Sequence, residues 1–230
     1  MKLLTIDTSS TACSVAITSG GRLVTENLLN LDRPISGQLL KSVEMAVADA
    51  TMTFADLDGF GVAIGPGSFT GLRVGVATVK GLALAANKPV AGFSSLAMLA
   101  MNLPWAYYPV CAMLDARKSE VYTALYRCTD HPQAISAESV IAPGQFLATI
   151  TETTIFVGEG ALRYREQIAA ALGALAIFPP STCHVPRASS GAMLAAAAFA
   201  RGDIPPLPAL NPVYIRPSEA ELAKMQRETL

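Results

Sequence analysis

Apolar and polar positions change period along the chain in an ordered way. Residues 3–7 form an apolar run that ends in a carboxylate, and 13–18 and 22–28 are β-rich runs separated by Ser19-Gly20-Gly21. Three strands are predicted, with a hairpin joining the last two. Leu39, Leu40, Val43, Ala46, Val47 and Ala50 then recur at three- and four-residue spacing, the stripe of an amphipathic helix. Residues 57–64 return to strand character. The loop Gly65-Pro66-Gly67-Ser68 leads into a helix over 69–86, 89–93 reads as a short strand, and Ser94 or Ser95 can cap a helix reaching 101.

The same order begins again near Tyr108. Residues 110–115 are an apolar strand ending in Asp115, and after Arg117-Lys118-Ser119 the run 120–128 alternates like a hairpin partner. Asp7 and Asp115 therefore occupy matching places. Further strands (135–140, 154–157) and helices (162–172, 190–201) complete a second pass. Two similar α/β halves, each a mixed sheet with helices, is the economical reading. Residues 1–104 form the first half, which carries a partner interface, and 105–205 the second. Residues 206–230 form a strap that packs back on the body: 202–217 is rich in proline and extended, and Ser218-Glu219-Ala220-Glu221 is a capping-box signature for a short terminal helix.

Composition sharpens this picture. The chain is 51% hydrophobic and only 15% charged, against about a quarter charged in an average soluble domain. It contains 38 alanines, which bury little area but let helices approach closely, so a helical interface explains the apolar excess as well as a large core does. Seventeen basic and eighteen acidic residues leave a net charge of -1 with no run of like charge, which argues against autonomous nucleic-acid binding. The start lacks a signal-peptide pattern, 74–86 is interrupted by Lys80, and 191–200 is too short to span a bilayer. A soluble, cytoplasmic protein without a membrane segment is expected. Cys13, Cys111, Cys128 and Cys183 are scattered, as buried reduced thiols would be, and His131 and His184 have no neighbouring ligand with which to build a zinc site.

Two stretches stand out for chemistry. In Gly65-Pro66-Gly67-Ser68-Phe69-Thr70-Gly71-Leu72-Arg73 the glycines let backbone N–H groups converge at a helix start, where an anion or phosphate could sit. The spacing matches neither Walker A nor Gly-x-Gly-x-x-Gly nor the Gly-x-Ser-x-Gly nucleophile elbow, and a tight turn packing a helix on its sheet is the alternative. Asp7, Thr8 and Ser9 could complete a nucleotide phosphate site with Gly65, Gly67 and Ser68, the carboxylate near magnesium, although Asp and Ser at a strand end also simply satisfy turn amides. In the second half the hydroxyls become Ala116 and Arg117.

The helix after the loop is the second feature. Between 71 and 86 only Arg73, Thr78 and Lys80 are polar, so burial nearly all round is expected. Gly71 and Gly75 form one ridge of small residues, and Ala77, Gly81 and Ala85 another. With Lys80, and with Leu39, Leu40, Val43 and Val47 of the preceding helix, these residues are expected to form a subunit interface. Cover by the C-terminal strap is the alternative.

Ile6-Asp7-Thr8-Ser9, the run 65–75, Asp115-Ala116-Arg117 with Glu120-Val121-Tyr122, and Pro212-Val213-Tyr214-Ile215-Arg216 together resemble the bacterial TsaB (YeaZ) family across the whole chain. The resemblance implies an actin-like, Hsp70-like fold of two ribonuclease-H-type halves, and a part in forming N6-threonylcarbamoyladenosine at position 37 of tRNA. The family's catalytic paralogue, TsaD, has an Asn-His-x-x-x-His metal-binding stretch where Ser95 and Leu99 stand here, and neither side chain replaces imidazole. The resemblance also implies a non-catalytic pseudo-enzyme that holds TsaD in a heterodimer, with the ATPase TsaE joining and tRNA bound through the complex. A separate enzyme would supply threonylcarbamoyl-AMP. The chain itself would need no cofactor or metal, ATP and magnesium being used by the complex. A glycoprotease-like metallopeptidase and an independent nucleotide-binding protein are the alternatives, and without its partner the same helices can pair as a homodimer. Many relatives have a histidine before the first helix, where this chain has Ile35-Ser36-Gly37. The stretch 129–186 carries no recognised motif.

Overall fold

A computed structural model describes residues 1–31 and 37–216. The Ile35-Ser36 departure and the expected terminal helix at Ser218 lie outside the described residues. The first half runs β1 (Lys2–Asp7), β2 (Ala12–Ser19), β3 (Arg22–Asn30), α1 (Leu39–Asp49), β4 (Gly59–Gly65), α2 (Phe69–Ala86), β5 (Val90–Ser94) and α3 (Ser95–Ala100). The second runs β6 (Val110–Asp115), β7 (Val121–Cys128), β8 (Pro132–Ala134), β9 (Ser139–Ile141), α4 (Pro143–Leu147), β10 (Thr154–Val157), α5 (Glu159–Arg163), α6 (Arg165–Leu172), β11 (Ala176–Ile177) and α7 (Ala188–Arg201).

The two sheets share one topology. The first has the order β3-β2-β1-β4-β5, and the second β11-β10-β6-β7-β8 with β9 also on β7, which is the same order read from the other edge. In each, the opening hairpin is antiparallel and the later strands add in parallel. Asp7 and Asp115 form the last residue pairs of their hairpins, with Ser14 and Val121. The fold is the duplicated actin-like α/β arrangement of two mixed sheets.

Period-two alternation divides the first sheet's burial between two sets of helices. Leu4, Ile6, Val15 and Ile17 pack with Leu39, Val43 and Ala46 of α1 and Val76, Val79 and Ala83 of α2. Leu3, Ala63, Ala91 and Phe93 pack instead with Ala195 and Ala198 of α7. Helix α7 thus returns from the second half to cover the first sheet, while Leu96, Leu99 and Ala100 of α3 join Val110, Ala112, Tyr122 and Ala124 of the second. The two cores interlock, because each half lends a helix to the other.

Several expected elements shift. Of the strand expected over 135–140 only the end is strand, as β9, with β8 lying just before the expected range and both paired to β7, and the helix over 162–172 is broken at Tyr164 into α5 and α6. Helix α2 is not buried all round. Leu72, Gly75, Val76, Val79 and Ala83 face inward, while Thr70, Arg73, Ala77, Gly81 and Leu84 are exposed. By length and hydropathy α2 would also pass as a membrane span, contrary to the expectation from Lys80; it lies along its own sheet instead.

Candidate functional site

Each hairpin's first strand ends in a carboxylate that takes an amide two residues on. The Ser9 amide donates to Asp7 Oδ1 at 3.0 Å, and the Arg117 amide donates to Asp115 Oδ1 at 3.1 Å, the Asx turn expected of Asp in this position. Their second oxygens differ. Asp115 Oδ2 accepts from Arg163 at 2.7 Å, with Arg117 at 3.6 Å. Asp7 Oδ2 is buried with no hydrogen-bond partner among the described residues, and burial raises this carboxyl to about 6, with a smaller contribution from Glu159.

A cleft of about 440 Å³ lies between the halves, lined by both hairpin turns, the start of α2, Glu159 and Arg216. Of the six candidate phosphate-binding residues, Ser9, Gly67 and Ser68 line it; Asp7, Thr8 and Gly65 do not. The loop is tied down by backbone contacts. The Ser68 amide donates to the Ser9 carbonyl at 2.7 Å, the Thr8 hydroxyl to the Gly71 carbonyl at 2.7 Å, and the Ser68 hydroxyl caps α2 by accepting from the Gly71 amide at 3.2 Å. A β-carbon at Gly67 would run into the Ser9 carbonyl, and one at Gly65, whose φ is +129°, into that of Val213. These glycines let the turn pack closely against Ser9 and Val213.

Glu159, which carries no signal in the sequence by itself, faces this cleft from α5. The Thr11 hydroxyl of the first half donates to it at 3.2 Å. Burial raises its carboxyl, and Asp115 adds to the rise. Its position follows from the duplication: Gly158 (φ +110°) stands after β10 as Gly65 stands at the end of β4, each turning the chain into a helix. Comparing the glycines of the two halves would have found it. Arg117, Lys118 and Ser119 all adopt left-handed backbone (φ +62°, +52° and +59°), which no glycine or asparagine announces in the sequence.

The interface candidates separate into two groups. Leu39 and Val43 are core residues of the first half. Gly71 and Gly75 face Thr8, whose carbonyl and hydroxyl a β-carbon would strike. Lys80 donates to the Leu210 carbonyl at 2.8 Å and to that of Pro208 at 3.4 Å, under the strap. These five residues are therefore occupied within the chain. Val47 is half-buried, whereas Leu40, Ala77 and Gly81 are exposed. Thr70, Arg73, Ala77, Gly81 and Leu84 follow one another at spacings of three and four, a single stripe along α2. Leu84 is 75% exposed, and on α1 Leu40 is 56% exposed and Met45 46%.

Ser95 and Leu99, which stand where the catalytic paralogue has metal ligands, are both fully buried. Among the described residues no three of His, Cys, Asp and Glu gather to hold a metal ion. Cys13, Cys111 and Cys128 are buried and Cys183 half-buried, all as free thiols.

The family described as TsaD, tRNA N6-adenosine threonylcarbamoyltransferase, matches residues 31–224. The tRNA threonylcarbamoyladenosine biosynthesis protein TsaB of Bacillus subtilis is 30% identical over 228 residues, covering 96% of each chain. The structure of YeaZ from Pseudomonas aeruginosa superposes with a TM-score of 0.81 at 31% identity, over 93% of this chain and 99% of that one. The activator of 2-hydroxyisocaproyl-CoA dehydratase from Clostridium difficile, solved with bound ADPNP, shares the fold at a TM-score of 0.52 and 11% identity, over 90% of this chain and 99% of that one. Matched over 96% of its length in sequence and 93% in structure, the chain belongs to the TsaB (YeaZ) family, within the wider threonylcarbamoyltransferase family.

Proposed function

We propose that the chain serves tRNA N6-threonylcarbamoyladenosine biosynthesis as a non-catalytic scaffold subunit, binding and activating TsaD for modification at A37. The observation that carries this reading is the exposed stripe of α2. Ala77 and Gly81 are small enough to admit a second helix at close range, and Leu84, with Leu40 and Met45 of α1, supplies apolar area for a partner. The names of the relatives supply the pathway. Ser95 and Leu99 at the metal-ligand positions support a role without chemistry of its own.

In this reading TsaE joins the pair, tRNA reaches the site through the complex, and ATP and magnesium are used there rather than required by this chain. The work takes place in the cytoplasm, where tRNA is. Alone, the same stripe pairs with a second copy. Sedimentation or light scattering of the chain mixed with TsaD tests the assembly. A one-to-one complex that Ala77→Trp abolishes supports the reading, and a complex unaffected by that change would place the contact elsewhere.

A further inference from the structure

The segment 211–216 crosses from one half to the other at the mouth of the cleft. On the first half the Val213 amide donates to the Ile64 carbonyl at 2.7 Å, and the Tyr214 ring stacks on Phe69 with centroids 4.6 Å apart. Arg73 Nε donates to the Tyr214 hydroxyl at 2.9 Å, and the guanidinium lies over both rings, 5.6 and 6.0 Å from their centroids. Just upstream, Lys80 holds the Leu210 carbonyl, and Leu210 is buried in the first core. On the second half, Arg216 donates to the Ala116 carbonyl at 2.7 Å and to the Glu120 carboxylate.

Those two acceptors belong to one turn. The Ala116 amide donates to the Glu120 carbonyl, and the Glu120 amide to that of Arg117, so Arg216 grips both ends of the turn between β6 and β7. Phe69, Arg73, Ala116 and Arg216 also line the cleft. Among the described residues of the strap, the first half is held at several points, while on the second half Arg216 makes the hydrogen bonds to this turn and Ile215 packs against the core beside it.

We propose that 211–216 is a latch that couples the second half's cleft wall to the exposed stripe of α2. Arg73 makes the connection, because it belongs to the stripe and is also the residue that holds Tyr214. Moving the cleft wall pulls on Arg216, and the pull reaches Arg73 through a stacked and hydrogen-bonded ring; an occupant of the stripe that moves Arg73 acts on the wall in return. That the stripe receives a partner rests on the function proposed above, whereas the latch does not.

Hydrogen–deuterium exchange on the free, full-length chain tests the latch separately from that function. Arg216→Ala is expected to speed exchange by about fivefold or more at the 116–121 turn and also at the first turn of α2, residues 69–73, which Arg216 does not bond. Faster exchange confined to 116–121 and the strap would overturn the coupling. Should Arg216→Ala loosen the whole chain, Tyr214→Phe decides alone: it removes one hydroxyl and keeps the ring. Faster exchange at 116–121 then supports the latch, and unchanged exchange there overturns it.

Discussion

Gly75 lies against Thr8. A β-carbon on Gly75 would meet the Thr8 hydroxyl, which is already engaged in donating to the Gly71 carbonyl at 2.7 Å. The first ridge of α2 is therefore spent inside the chain, locking the helix to the turn after β1. Gly75→Leu is expected to destabilise the fold by about 1–3 kcal/mol or more, the usual effect of overpacking. Urea denaturation checks this, and an unchanged midpoint would mean that Gly75 has room the structure does not show.

Gly81 presents the opposite case. Nothing lies within 4 Å of where its β-carbon would be, and it sits in the interior of α2. Gly81→Ala should stabilise the free chain by about 0.5–1 kcal/mol through backbone entropy, while weakening any close helix–helix contact on the stripe. A higher denaturation midpoint together with looser partner binding is the expected pair of results. Higher stability with unchanged binding would remove Gly81 from the interface.

Asp7 sets a pH dependence. Its carboxyl is raised to about 6 in the folded chain from the ordinary 3.8, so between those limits the folded state binds more protons than the unfolded state. Stability then falls as pH rises from about 4 to 6 and is flat above, a change on the order of 3 kcal/mol for this group at 1.36 kcal/mol per pKa unit. Asp7→Asn keeps an oxygen for the Ser9 amide and removes the charge. Its stability should exceed that of the natural chain at pH 7 and match it near pH 4, as read from unfolding curves at both. Equal stability at pH 7 would show that the carboxylate is accommodated there.

Thiol chemistry reports on the cores. Burial pushes both Cys13 and Cys111 up to about 12 and Cys128 up to about 11, so their reactive thiolates are scarce at pH 8. Cys183 is half-buried. One equivalent of a thiol reagent is expected to react readily with the folded chain, at Cys183, and mass spectrometry of the labelled peptides identifies the site. Ready labelling of Cys111 would mean that the second core opens locally.

Much of this architecture is readable from the sequence because its signals are local. Asp7 and Asp115 each end an apolar run, and the repeated strand–hairpin order around them exposes the duplication. Ser68 is a good cap and does cap. The outward and inward sides of α2 are not readable, because almost every residue there is small or apolar, and period alone cannot tell a ridge facing Thr8 from one facing solvent. Leu39 and Val43 look like Leu40 and Val47 in the sequence; only the helix's seat on the sheet separates them. Lys80 reads as an interface cation until the strap's carbonyls supply its partners, 128 and 130 residues away. Exchange of α3 and α7 between the halves has no local signal at all, since it depends on which sheet face remains uncovered.

The proposed function makes this chain necessary for a reaction that its partner performs. Threonylcarbamoyl transfer to tRNA, measured in a reconstituted mixture of TsaD, TsaE, the threonylcarbamoyl-AMP synthase, ATP and magnesium, separates that role from every alternative. Modification is expected to depend on adding this chain, to fail with Ala77→Trp, and to be absent when the chain is supplied without TsaD. Equal modification without the chain, or transfer by the chain alone, would contradict the scaffold role.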